Sequence, residues 1–107
     1  MSKLGETIET LALTIESRRG VDPKSSWSAQ LLADPALAAK KLAEEATETA
    51  LAAVQGDRTA VAAESADLVY HWLALLAAVG VPLDEVADVL RAREGRSGVD
   101  EKSARGR

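Results

Sequence analysis

Two residues, Gly56 and Asp57, separate two long runs of helix-forming residues, and this arrangement constrains the fold more than any other feature of the chain. Asp34-Pro35, an N-cap followed by a first-turn proline, opens the first run, which extends to about Val54 and stops at Gly56. Asp57 caps the second, from about Arg58 to Val79, and Gly80 closes it. Two long helices joined by so short a connection fold back on each other. Before them, Leu4, Ile8, Leu11, Ala12 and Ile15 fall at helical spacing, with Gly20 placed as a helix-ending glycine. Asp22-Pro23 then breaks the chain, and Ser26 to Leu32 predicts a short helix around Trp27. Pro82 begins a last helix, about Leu83 to Arg93. No alternating strand pattern persists anywhere. The expected fold is all-α, a helical bundle of four to five helices with two long antiparallel central ones. It occupies residues 1–93 and is followed by a basic C-terminal tail over 94–107.

With 107 residues the chain has room for one domain and not for two. Ala, Leu and Val supply nearly all the apolar volume, since there is no Phe, one Tyr and two Trp. A core built this way is thin and lets helices approach closely, so self-association into a homodimer or a dimer-based oligomer is expected. The absence of cysteine removes disulfides and thiolate metal sites. The N-terminus lacks a signal-type apolar run, and the stretch from Trp72 to Val79 is too short to span a bilayer. A cytoplasmic protein without membrane partners is expected.

The net charge of −4 argues against a nucleic-acid binder. That charge is unevenly spread. From Arg91 onward six basic residues face three acidic ones, which makes this end +3 and leaves the rest strongly acidic. An acidic body with a basic end suits a site holding cations on one side and phosphate oxygens on the other; a solvated helix end reads equally well from charge alone.

The two long helices carry the chemistry. Glu45 with Glu48, and Glu64 with Asp67, stand three residues apart, so each pair shares a helix face; Glu44 and Lys41 lie beside the first pair. On the second helix Glu64, Asp67 and His71 fall within about 60° of one another, bordered by Leu68 and Leu75. Carboxylates at the margin of a packed face need protons, basic partners or cations to neutralise them. Lys41 answers one of them, and a divalent metal answers several. Oxygen donors without cysteine select a hard ion, Mg²⁺ or Mn²⁺. Such an ion, shared between phosphates and water, suits phosphoanhydride hydrolysis. Acidic pairs on exposed helices are also common without any ligand, and spacing alone does not choose between these readings.

Glu44-Glu45-x-x-Glu48 followed by Glu64-x-x-Asp67 resembles the signature of the MazG-type all-α nucleoside-triphosphate pyrophosphohydrolases. Within that superfamily, Lys40-Lys41-x-x-Glu44-Glu45-Ala46-x-Glu48, Gly56-Asp57, Glu64-Ser65-Ala66-Asp67-Leu68-x-Tyr70-His71 and Arg93-Glu94-Gly95-Arg96-Ser97-Gly98 resemble the phosphoribosyl-ATP pyrophosphohydrolase family of histidine biosynthesis. The likeness extends to Arg18-Arg19-Gly20 and Ser25-Ser26-Trp27. It implies Mg²⁺-dependent hydrolysis of a small-molecule nucleotide, phosphoribosyl-ATP, to phosphoribosyl-AMP and pyrophosphate. It also implies Glu44, Glu45, Glu48, Glu64 and Asp67 as the catalytic and metal-binding set, and a dimer or an assembly of dimers. The chain departs from the family's usual pattern at Ala43, commonly Gly, and at Trp27-Ser28, commonly Tyr-Thr.

Lys41, His71, Arg93 and Arg96 are the expected substrate-binding residues. Each has a plainer reading: an ion pair from Lys41 to Glu45, a histidine in a polar notch at the core edge, a solvated basic tail. Trp27 and Trp72 read most simply as packing. Two other functions compete with the main one: a house-cleaning pyrophosphohydrolase acting on free or damaged (d)NTPs, and a non-catalytic helical oligomerisation module.

Overall fold

The computed structural model describes residues 2–95. Five α-helices account for it: α1 (Lys3–Glu16), α2 (Trp27–Ala33), α3 (Pro35–Gln55), α4 (Arg58–Val79) and α5 (Leu83–Ala92), with a 3-10 turn at Pro23–Ser25 before α2. There is no strand among the described residues. The chain is an all-α bundle whose main interface joins α3 to α4.

Short polar side chains open the helices. Ser2, Ser26, Asp34 and Asp57 each accept a hydrogen bond from a backbone N–H three residues on, satisfying a donor that the first helical turn leaves free. Asp34 ends α2 and begins α3, so the two meet at a sharp corner. Gly56 and Gly80 close α3 and α4 with left-handed backbone, φ 75° and 76°, which residues carrying a Cβ adopt at a cost. α1 stops earlier than its closing glycine predicts. Ser17 is its C-cap, tight turns carry the chain over Arg18 and Arg19, and Gly20 takes the left-handed conformation at the end of those turns. The Arg19 guanidinium holds Glu16 and also donates to the Ala77 carbonyl on α4 at 2.9 Å, anchoring the end of α1 to the far end of α4.

α4 is the axis of the molecule, packed against α1, α2 and α3. Ile15, Leu32 and Leu73 form one buried cluster, flanked by Ile8, Leu11 and Val69; Leu31, Ala38 and Ala74 form a second. Tyr70 touches both. The core is as thin as the composition implies, with Ile15 and Leu31 the only large side chains buried almost completely among the described residues. Many apolar side chains stay outside, among them Leu13, Leu51, Val54 and Leu90. No helix is long and apolar enough to cross a membrane.

Candidate active site

Glu45, Glu48 and Glu64 converge between α3 and α4, each offering a carboxylate oxygen within 4.8 Å of the others. Their environments differ. Glu45 is 9% exposed and belongs to the buried stripe of α3, one turn-pair from Ala38 and Ala52. Its Oε2 is buried with no hydrogen-bond partner. Glu64 is half-buried, while Glu48 is exposed at the mouth. The hydrogen bond between Glu64 and Glu45 needs a proton between two acceptors. That bond, loss of solvent, and the charges of Glu45 and Asp67 together push the Glu64 carboxyl above its usual range.

Asp67, one turn further along α4, is close enough to act on Glu64 through its charge but stands outside the three-glutamate group. Glu44 is also outside it. It points outward and accepts a hydrogen bond from Lys41 Nζ at 3.0 Å, which lowers the pKa of the carboxyl and raises that of the amine. The i+4 pairing of Lys41 with Glu45, one of the two readings that spacing allows, is not what forms. Glu45 turns inward toward α4, so the i+3 neighbour takes the lysine. A hollow of about 430 Å³, lined by Ala43, Glu44, Thr47 and Glu48, opens beside this edge of the cluster.

His71 is buried at 7% exposure, and both ring nitrogens are engaged inside the chain. Nδ1 lies 2.8 Å from the Asp67 carbonyl, and Trp27 Nε1 donates to Nε2 at 3.2 Å. A carbonyl can only accept and an indole N–H can only donate, so the imidazole is neutral with its proton on Nδ1. Tyr70 meets the same ring edge-on at 4.9 Å between centroids, and its hydroxyl is hydrogen-bonded to Ser28 Oγ at 2.5 Å. Two polar ties from the first turn of α2 therefore run to consecutive residues of α4. The sequence reading took Trp27 as packing and assigned Ser28 no role. These partners are 44 and 42 residues apart, beyond the reach of periodicity. The one available signal was that Tyr70-His71 falls within a quoted motif, while Trp27-Ser28 stands where the chain departs from the family's usual pattern.

Arg93 is the C-cap of α5 and lines a separate cavity of about 410 Å³ with Val81, Glu85, Val86, Val89 and Leu90; none of the three glutamates borders it. Arg96 lies outside the described residues.

A buried carboxylate with an unpartnered oxygen, facing two further carboxylates across a helical hairpin, marks the class: an all-α bundle whose central hairpin is organised around acidic groups. Comparison with known proteins names the member. Residues 8–94 match the family model described as phosphoribosyl-ATP pyrophosphohydrolase, and the chain belongs to that family. Among curated relatives, the phosphoribosyl-ATP pyrophosphatase of Caulobacter sp. (strain K31) is 65% identical over 98% of both chains. The protein of the same name from Caulobacter vibrioides (strain NA1000 / CB15N) is 61% identical over 96% of both. One from Cereibacter sphaeroides (strain KD131 / KCTC 12085) is 54% identical over 92% of this chain and 97% of its own. The chain is a hydrolase acting on a phosphoanhydride.

Proposed function

We propose that this protein hydrolyses phosphoribosyl-ATP to phosphoribosyl-AMP and pyrophosphate, the second step of histidine biosynthesis, in the cytoplasm and with a divalent cation. Glu45, Glu48, Glu64 and Asp67 would hold that ion, Mg²⁺ or Mn²⁺, with Glu44 at the edge of the set. The observation that carries the reading is the orphaned Oε2 of Glu45. A buried carboxylate oxygen without a donor is unfavourable by itself and suits a hard cation, and the all-oxygen donor set has the same preference. When bound, such an ion supplies charge neutralisation across the phosphates and the attacking water.

The chain's own groups do the remaining work. Water attacks within the triphosphate at the α–β linkage, and a carboxylate of the cluster takes its proton. Lys41 is partly exposed beside Glu44 at the cluster's edge, placed to answer a phosphate oxygen. His71 is committed at both nitrogens and acts through what it places: Trp27 on one side and the Asp67 turn on the other. Pyrophosphate release with Mg²⁺, comparing phosphoribosyl-ATP with a dNTP panel, tests the whole reading. kcat/KM for phosphoribosyl-ATP should lead by at least about 100-fold. A dNTP turned over as well would install the house-cleaning alternative, and no release from any nucleotide would leave the oligomerisation module.

The basic end of the chain serves the second phosphate-bearing ribose in this proposal, because arginine grips phosphate bidentately. Arg93→Ala and Arg96→Ala should each raise KM for phosphoribosyl-ATP about 10-fold or more, with the helical circular-dichroism spectrum unchanged. Unaltered kinetics after deletion of residues 94–107 would end the role assigned to Arg96 and to the tail.

Self-association belongs to the same proposal, on the strength of the thin core and the apolar side chains left outside it.

A further inference from the structure

The fold treats its two tryptophans differently. Trp72 packs against the cluster of Ile15, Leu32 and Leu73, whereas Trp27 joins neither buried cluster and stays 40% exposed. The Trp27 indole is fixed all the same. Its N–H donates to the buried His71 at 3.2 Å, and the two rings meet at 73° with centroids 6.2 Å apart, so the indole is held by its edge. The hydrogen bond between Ser28 Oγ and the Tyr70 hydroxyl ties down the same turn of α2. A ring gripped by its edge, with its one polar group already spent, has only its flat faces to offer a ligand.

Its position faces the acidic site. His71 lies seven residues past Glu64 on the same side of α4, about 10 Å along the axis. Glu44 on α3 is within electrostatic reach of His71. A nucleotide held at its α-phosphate by the carboxylates carries its purine one ribose away, a comparable distance. Of the charged groups that α3 and α4 bring to this end, Asp67 and Glu44 are acids, and Lys41 is already tied to Glu44 at 3.0 Å. The surroundings of the indole therefore favour a cation.

The purine of phosphoribosyl-ATP is such a cation. Its second ribose is joined to N1 of the adenine, and substitution there leaves an amidine that takes up a proton at N6 and is positively charged at neutral pH. The unsubstituted purine of ATP is neutral. A cation over an aromatic face is attracted by the ring quadrupole, most strongly by tryptophan. The indole thus offers a stronger face than the tyrosine common at this position in the family.

We propose that Trp27 is the specificity-determining residue for the purine: its exposed face receives the N1-substituted, cationic ring and so favours phosphoribosyl-ATP over ATP. This rests on the substrate proposed above, and a binding measurement without turnover separates the two. In equilibrium dialysis with Mg²⁺, the wild-type chain should hold N1-methyl-AMP about 10-fold more tightly than AMP. Trp27→Phe, which keeps a face and loses the N–H, should retain part of that preference, and Trp27→Leu should bind the two nucleotides equally. Turnover should show the same split, with KM for phosphoribosyl-ATP up about 10-fold in Trp27→Leu. Wild-type protein with no preference for the methylated nucleotide would overturn the proposal, whether or not Trp27→Leu folds. A preference lost as fully in Trp27→Phe as in Trp27→Leu would overturn it too, since the bond to His71 and not the face would then matter. Preference for N1-methyl-AMP without pyrophosphate release from phosphoribosyl-ATP would remove the hydrolysis reading and leave the platform. Normal release without the preference would remove the platform alone.

Discussion

Glu45→Gln is expected to lower turnover of phosphoribosyl-ATP by at least about 1,000-fold and, in the absence of metal, to raise the melting temperature. Both effects come from one geometry. The buried Glu45 carboxylate faces Glu64 and Glu48, and the crowding that suits a cation is repulsive without one. An amide keeps the shape and removes the charge. Glu48→Gln and Asp67→Asn should lose activity similarly, with a smaller change in stability, because Glu48 is exposed and Asp67 lies outside the closest group.

The pH dependence follows from Glu64, whose folded-state pKa lies above its ordinary 4.5. A carboxyl raised on folding destabilises the protein fully above its folded pKa, and this penalty disappears as the pH falls toward the unfolded value. Metal-free protein should therefore gain stability on acidification from neutrality toward about pH 4.5. Below that, Glu16 and Glu44, held low by Arg19 and Lys41, are protonated and their small contributions vanish. Glu64→Gln should abolish the gain, and saturating Mg²⁺ should reverse it, since protons then compete with the ion. Thermal melts at several pH values, with and without Mg²⁺, would read all of this. A Glu45→Gln protein that melts early yet still releases pyrophosphate would sink the metal-site proposal.

Leu31→Ala should be the most damaging single truncation away from the carboxylates. Leu31 is fully buried in the cluster with Ala38 and Ala74, against which Leu37, Tyr70 and Leu75 pack, and truncating it leaves a cavity in a core with few other large buried side chains. The expected loss is about 3 kcal/mol, or roughly 12–24 °C in Tm at fixed protein concentration. Seven-residue α2 is too short to be helical by itself, so Trp27 and Ser28 should loosen from His71 and Tyr70 at the same time. Trp27 fluorescence in a Trp72→Phe background would report that release. Leu13→Ala, at an exposed position, is the control and should change stability by about 0.5 kcal/mol or less. Equal losses at both positions would show that burial within one chain does not decide which side chains matter.

Much of this was legible in the residues alone, because helix ends are local chemistry. Asp34-Pro35, Gly56-Asp57 and Gly80 place the ends of α3 and α4 through caps and left-handed turns that involve only near neighbours. The i, i+3 spacing put Glu45 beside Glu48, and Glu64 beside Asp67, for the same reason. The end of α1 was less legible: the helix stops at Ser17, before its glycine, and its last turns are tied by Arg19 to Ala77, 58 residues away.

What the sequence determined by itself was therefore the helices, their order, the hairpin and the acidic residues available to it; each follows from interactions within about one turn of the chain. The tertiary structure alone decided which carboxylates meet. It turned Glu45 inward onto Glu64, left Glu44 to Lys41, held Asp67 one step back, and committed both nitrogens of His71. Those choices depend on the rotation of α3 about its axis against α4 and on where α2 docks, and burial of Leu31, Ala38 and Ala74 sets both. Packing between distant segments selects one rotation out of several that the local spacing permits equally.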